Sequence, residues 1–82
     1  MEIKGKFFAV GHGLTYAFKI DSVHVLFDIK KSCDFDGLKD FYGNKNIDIL
    51  VISHFDVDHS DGIQKLHNEG FKMKQIYIPY ID

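Results

Sequence analysis

The stretch Ile47-Asp48-Ile49-Leu50-Val51-Ile52-Ser53-His54-Phe55-Asp56-Val57-Asp58-His59-Ser60-Asp61-Gly62 decides how the chain is read. Its first six residues are short, β-branched and nearly continuous in apolar character, the pattern of a strand covered on both faces. Two imidazoles and three carboxylates follow between His54 and Asp61. Imidazole nitrogen and carboxylate oxygen together suit zinc, manganese or iron, and His54, Asp56, Asp58 and His59 are spaced too densely for an ordinary surface loop. Downstream, Ile63 and Leu66 stand at helical spacing and Gly70 is placed to stop a helix. The donors therefore fall in a strand-to-helix connection, at the carboxyl end of a strand, where open α/β sheets place their chemistry. Residues two apart in an extended loop point the same way, so His54 and Asp56 can share one ion. Asp58 and His59 fall at the head of the helix, where its dipole favours a carboxylate.

Two simpler explanations account for less. A capping loop needs one or two polar residues, which Ser60 and Asp61 supply, and explains neither histidine. A calcium loop of EF-hand type is suggested by the alternation of Asp56, Asp58 and Ser60. It then requires Gly where Asp61 stands and a bidentate Glu where His67 stands.

The pattern His-x-Asp-x-Asp-His, preceded by a hydrophobic strand and Ser53, resembles the signature loop of the metallo-β-lactamase-fold hydrolases. Most members carry His-x-His-x-Asp-His, and here Asp56 takes the place of the second His. That variant resembles the branch related to bacterial competence and DNA-uptake proteins, with Asp61-Gly62 in place of its Gly pair. The resemblance implies an α/β fold, the β-β-β-α-β-α-β half of an αββα sandwich, with the helices on one face of the sheet. It implies that His54 and Asp56 hold one metal and Asp58 and His59 another, with up to two ions of zinc, and Asp58 as the catalytic residue. Replacement of an imidazole by Asp56 adds an oxygen ligand and shifts the expected preference toward manganese or mixed occupancy. Asp28 matches a position where the family often has an acid, but Ile29-Lys30 follow it where Gly is usual.

The remaining ligands of the family come from later strands, and none of His12, His24 and His67 lies where that pattern needs one. Zinc takes about three or four protein ligands. A complete centre is therefore expected to need a second polypeptide segment or a second copy of the chain. On this reading, residues 1–82 are the amino-terminal half of a metallo-β-lactamase-like domain, inactive in isolation. A phosphodiester or nucleotide substrate, and any contact with nucleic acid, follows from family analogy alone. The alternative is a non-catalytic module acting in protein–protein interaction.

The rest of the sequence supplies the frame. Ile3 to Val10 reads as a strand interrupted by Gly5, and Leu14 to Ile20 as a strand with Leu14, Tyr16, Phe18 and Ile20 on one face. Asp21-Ser22 turns the chain into a third strand at Val23, Val25 and Phe27. Leu38, Phe41 and Tyr42 give a short helix closed by Gly43-Asn44, and Gln75 to Pro79 a last strand. Parallel pairing with right-handed crossovers places both helices on one face of the sheet, leaving the other to be covered by a second polypeptide segment or by a second copy stacked sheet on sheet, which would bring two motif loops into one assembly.

Composition narrows the function classes. The 82-residue chain is 45% hydrophobic, with eight Phe and four Tyr, too apolar for a disordered segment. One domain of this size buries only about 60–65% of its unfolded surface. Net charge is −2, and all ten basic residues are Lys. Without Arg there is no forked donor for phosphate or guanine, so no direct-readout surface for nucleic acid is expected. The Lys30-Lys31 and Lys72/Lys74 clusters read as solvated faces, and His24 and His67 as surface residues. A single cysteine, Cys33, excludes an internal disulfide and reads as a small packing residue. No long apolar run or signal-peptide order is present, so a cytoplasmic chain without membrane contact is expected.

Overall fold

The computed structural model describes residues 1–9, 14–30, 32–53 and 57–78, with backbone alone at residues 9, 14 and 57–60. Seven elements follow in the expected order: β1 (Ile3–Ala9), β2 (Leu14–Ile20), β3 (Val23–Phe27), α1 (Phe35–Tyr42), β4 (Asn46–Val51), α2 (Val57–Asn68) and β5 (Lys72–Tyr77). The last strand starts three residues before the expected Gln75 and ends at Tyr77. The strands form one mixed sheet in the order β1-β2-β3-β4-β5. The first two pairings are antiparallel hairpins, and β3–β4 and β4–β5 are parallel. The chain is thus a small α/β fold. No helix among the described residues is long and apolar enough to cross a membrane.

Both helices pack on the same face. Phe35, Leu38 and Tyr42 of α1 and Leu66 of α2 join Phe8, Ala17, Leu26, Leu50 and Ile52 in one buried cluster. Helix α1 begins at Asp34, whose carboxylate accepts the Gly37 N–H at 3.0 Å, and ends at Gly43, where φ is +83°. The side chain satisfies a donor that the first helical turn leaves open, and the left-handed terminus favours glycine because it has no Cβ to clash.

Strict alternation breaks in β4. Ile47 and Leu50 are both fully buried in the helix-side cluster although three residues apart, whereas alternation would send them to opposite faces. Between them the Asp48 carboxylate, and not a backbone carbonyl, accepts the His24 N–H at 2.7 Å.

The opposite face corrects the expectation that β4 is covered on both sides. Ile49 and Val51 are only half-buried, while Val25, paired with Ile49 on the same face, is buried at 7% exposure. Pairing register aligns three rows across this face. One is Phe7, Tyr16, Phe27, Val51 and Tyr77, the next Gly5, Phe18, Val25, Ile49 and Gln75, and the third Ile3, Ile20 and Val23. No charged side chain occurs in these rows. Phe7 meets Tyr16 edge to face at 4.6 Å, and Phe18 meets Phe27 likewise at 5.7 Å. Phe7, Ile3 and Tyr77 are 64%, 56% and 54% exposed, so large apolar side chains stand in water. In β2 the small residues Thr15 and Ala17 face the helices with 0% exposure, while the bulky alternate set Tyr16, Phe18 and Ile20 faces away.

Candidate metal centre

Because β3, β4 and β5 are parallel, their carboxyl ends lie at one end of the sheet. The antiparallel register brings the end of β1 and the start of β2 to the same place. Hydrogen bonds beyond the ladders tie this end together. Asp28, in the left-handed region with φ +59°, donates its N–H to Val51 O at 2.9 Å. Its own carbonyl accepts the buried Thr15 hydroxyl at 2.8 Å. Its carboxylate oxygen Oδ1 accepts the Ser53 N–H at 2.7 Å. On the far side of β4, Ile52 N–H donates to Tyr77 O at 2.9 Å. Four strands are thereby locked where the metal-type sequence begins.

Of the four predicted ligands, His54 and Asp56 lie outside the described residues. Asp58 and His59 are described in backbone only, in the first turn of α2. The sequence expectation that they open the helix agrees with this placement; the side-chain geometry of all four lies outside the described set. Among the described residues, no three His, Cys, Asp or Glu side chains are grouped so as to hold an ion. His12 also lies outside the described residues, although Ala9 and Leu14, which flank its connection, are at this end of the sheet.

The described scaffold anchors the two flanks of residues 54–56. Ser53 is pinned to Asp28 at one side. At the other, α2 is pressed against the chain that follows β3: a Cβ on Gly62 would lie 2.6 Å from Ile29 O and 2.8 Å from Lys30 Cα. Glycine in a helix interior is unfavourable by about 1 kcal/mol relative to alanine, and here it permits backbone-to-backbone approach. Ile29 and Ile52 beneath are 0% and 1% exposed. The donor types fit a zinc- or manganese-class ion chemically, and Asp28 brings a further carboxylate to the rim.

Asp28, at a position where the resembling family often has an acid, accepts the Ser53 N–H in the structure. An Asp that closes a strand and can adopt a left-handed conformation was the available signal. His24, expected at the surface, is instead buried at 8% exposure. Its Nδ1 lies 2.7 Å from Asn46 O and its ring stacks on Tyr42 at 4.5 Å. The Tyr42 hydroxyl donates to Val25 O at 2.6 Å, and burial raises its pKa far above the ordinary phenol range. Asp48, held by the His24 N–H and then by Lys74 at 3.3 Å, has its carboxyl lowered below the usual range. This group sits at the opposite end of the parallel strands from the metal-type loop, and it reads as a structural lock. Burial and the neighbouring Asp34 charge push the Cys33 thiol up to about 11, which keeps it a protonated packing group rather than a nucleophile.

No protein-family model, curated protein or solved structure matches the chain.

Proposed function

We propose that the chain supplies the first part of a metal-dependent hydrolytic centre of metallo-β-lactamase type, with further ligands coming from another segment or subunit. The observation that carries this reading is positional. The His-x-Asp-x-Asp-His sequence runs from the carboxyl end of a central parallel strand into the first turn of α2, beside the Asp28–Ser53 clamp. His54, Asp56, Asp58 and His59 would hold up to two zinc ions, with manganese as the alternative. When bound, such an ion lowers the pKa of a coordinated water toward neutrality. Asp28 fixes where the loop leaves the sheet, and Gly62 lets the helix head sit close to it. Asp58 is the residue assigned to the chemistry, and a phosphodiester or nucleotide substrate is the class suggested by the sequence resemblance.

Chelation, reloading and metal analysis of the purified chain test this. Binding of zinc or manganese, lost in His54→Ala and Asp58→Ala with circular dichroism unchanged, is the expected result, with negligible hydrolysis by the chain alone. Absence of binding by the native chain would sink the metal reading. Strict selectivity for zinc would remove the role given to Asp56.

The uncovered apolar face favours a second reading, a non-catalytic module that works by protein–protein contact. Metal binding without any association would count against it.

A further inference from the structure

We propose that the uncovered sheet face is an interface between two copies of this chain, packed sheet on sheet about a two-fold axis perpendicular to the strands. The inference rests on the second reading above and names its partner; it is independent of metal.

Three observations select a second copy. The first is charge. None of the side chains in the three rows is charged, so two identical faces meet without like-charge repulsion, and no pattern of charge is present to select a different protein. Approach along the sheet edges is disfavoured, since β1 carries Lys4 and Lys6 and β5 carries Lys72 and Lys74, the usual protection of an exposed edge.

The second is shape. The row toward the carboxyl ends of the parallel strands is aromatic at Phe7, Tyr16 and Phe27, and the row toward the other end is aliphatic at Ile3, Ile20 and Val23. Rotation about an axis perpendicular to the strands lays the aromatic row of each copy over the aliphatic row of the other. Large then meets small on both sides of the axis, which keeps the layer at the roughly 10 Å separation of packed sheets. Rotation about an axis along the strands would set aromatic row against aromatic row and leave a gap at the other end.

The third is area. Five strands about 4.8 Å apart and about 17 Å of strand length give a face of roughly 400 Å² in flat projection. Side-chain relief brings the accessible surface buried by two copies to on the order of 1,000 Å², the lower limit for a specific contact. A contact of this size is at the small end of specific interfaces, so weak, reversible association is expected, with the two metal-type loops at opposite ends of the pair, so that neither copy completes the other's site.

Sedimentation equilibrium from about 5 to 500 µM tests the proposal. The expected result is a reversible doubling of mass, with the dissociation constant raised at least 100-fold by Phe27→Lys or by Val23→Glu. Mixing these two variants is expected to restore the dimer, because position 27 of one copy falls over position 23 of the other near the axis. Circular dichroism and thermal melting show that each variant is folded. Phe7→Lys, at a residue 64% exposed, gives a second disrupting change if either of the others unfolds. A monomer at 500 µM would overturn the proposal, as would a dimer indifferent to all three substitutions, or one that the mixture fails to restore. Binding of an apolar dye separates the two failures. A monomer whose dye binding is lost in Phe7→Lys leaves the contact-face reading standing without the self-pairing, and a monomer that binds no dye removes both.

Discussion

Gly62→Ala is the substitution at which local preference and tertiary packing oppose each other most sharply. Alanine in a helix interior is favoured over glycine by about 1 kcal/mol, so helix preference alone makes the variant more stable. The structure gives the opposite sign. A Cβ at position 62 would lie 2.6 Å from Ile29 O and 2.8 Å from Lys30 Cα, against 3.4 Å for ordinary contact, so α2 must retreat by about 0.8 Å. Both obstructing atoms are backbone, and the segment they belong to is held by the fully buried Ile29. Overpacking of this kind costs about 1–3 kcal/mol, and α2 also carries Leu66 of the core. Since the helix preference offsets about 1 kcal/mol of that, a net loss of up to about 2 kcal/mol is expected. Urea unfolding followed by circular dichroism measures it, with an unchanged m-value showing that the change lies in stability. The same retreat shifts α2 against the segment after Asp28, so under the proposed metal-centre reading zinc affinity should fall as well. A more stable Gly62→Ala variant with native affinity would refute the close-packing account.

Other substitutions probe the rest of the frame. Asp48→Asn should cost about 1 kcal/mol at neutral pH, since the carboxylate accepts the His24 N–H and pairs with Lys74. Because the folded-state pKa of Asp48 is lowered, its contribution is full above the ordinary carboxylate range and is lost as pH falls through the folded value. Urea midpoints of variant and native chain should accordingly converge in acid, and a constant gap would argue against the ionic origin. Tyr42→Phe removes the 2.6 Å hydroxyl donor from the buried Val25 carbonyl and should destabilise by about 1–2 kcal/mol in thermal melts; a neutral effect would show that the bond contributes nothing net. Cys33 should resist a disulfide reagent at pH 8 in the folded chain and react at once in denaturant. Rapid native-state labelling would contradict its burial and its raised pKa of about 11.

The sequence disclosed the element order because each strand and helix carries its own periodicity and its own stop. The hairpin turn at Asp21-Ser22, the Gly43 terminus and the β4-to-α2 connection all stand where local chemistry puts them. What it hid are features set by contacts distant along the chain. His24 occupies a helix-facing strand position, and only the partner Tyr42, eighteen residues on, makes that position buried. In β4, Ile47 and Leu50 share a face and the Asp48 side chain between them accepts the His24 N–H, an arrangement that no period of two reveals. Asp28 acquires its role from Ser53 across the sheet. Of the metal-type residues, the sequence placed Asp58 and His59 at the head of α2, as observed. Their mutual geometry depends on side chains outside the described residues. The composition pointed to surplus apolar surface, and the pairing register shows which face carries it.

Spatial order and chain order coincide in this sheet, since every strand lies beside its predecessor. Each new strand can therefore be added to a finished border, the hairpins through short turns and the parallel strands through their helical crossovers. The same arrangement leaves no vacant lane among the five described strands for a later arrival to thread into. Whatever joins this sheet must lie across it or extend it at a margin, and cannot be woven through its middle.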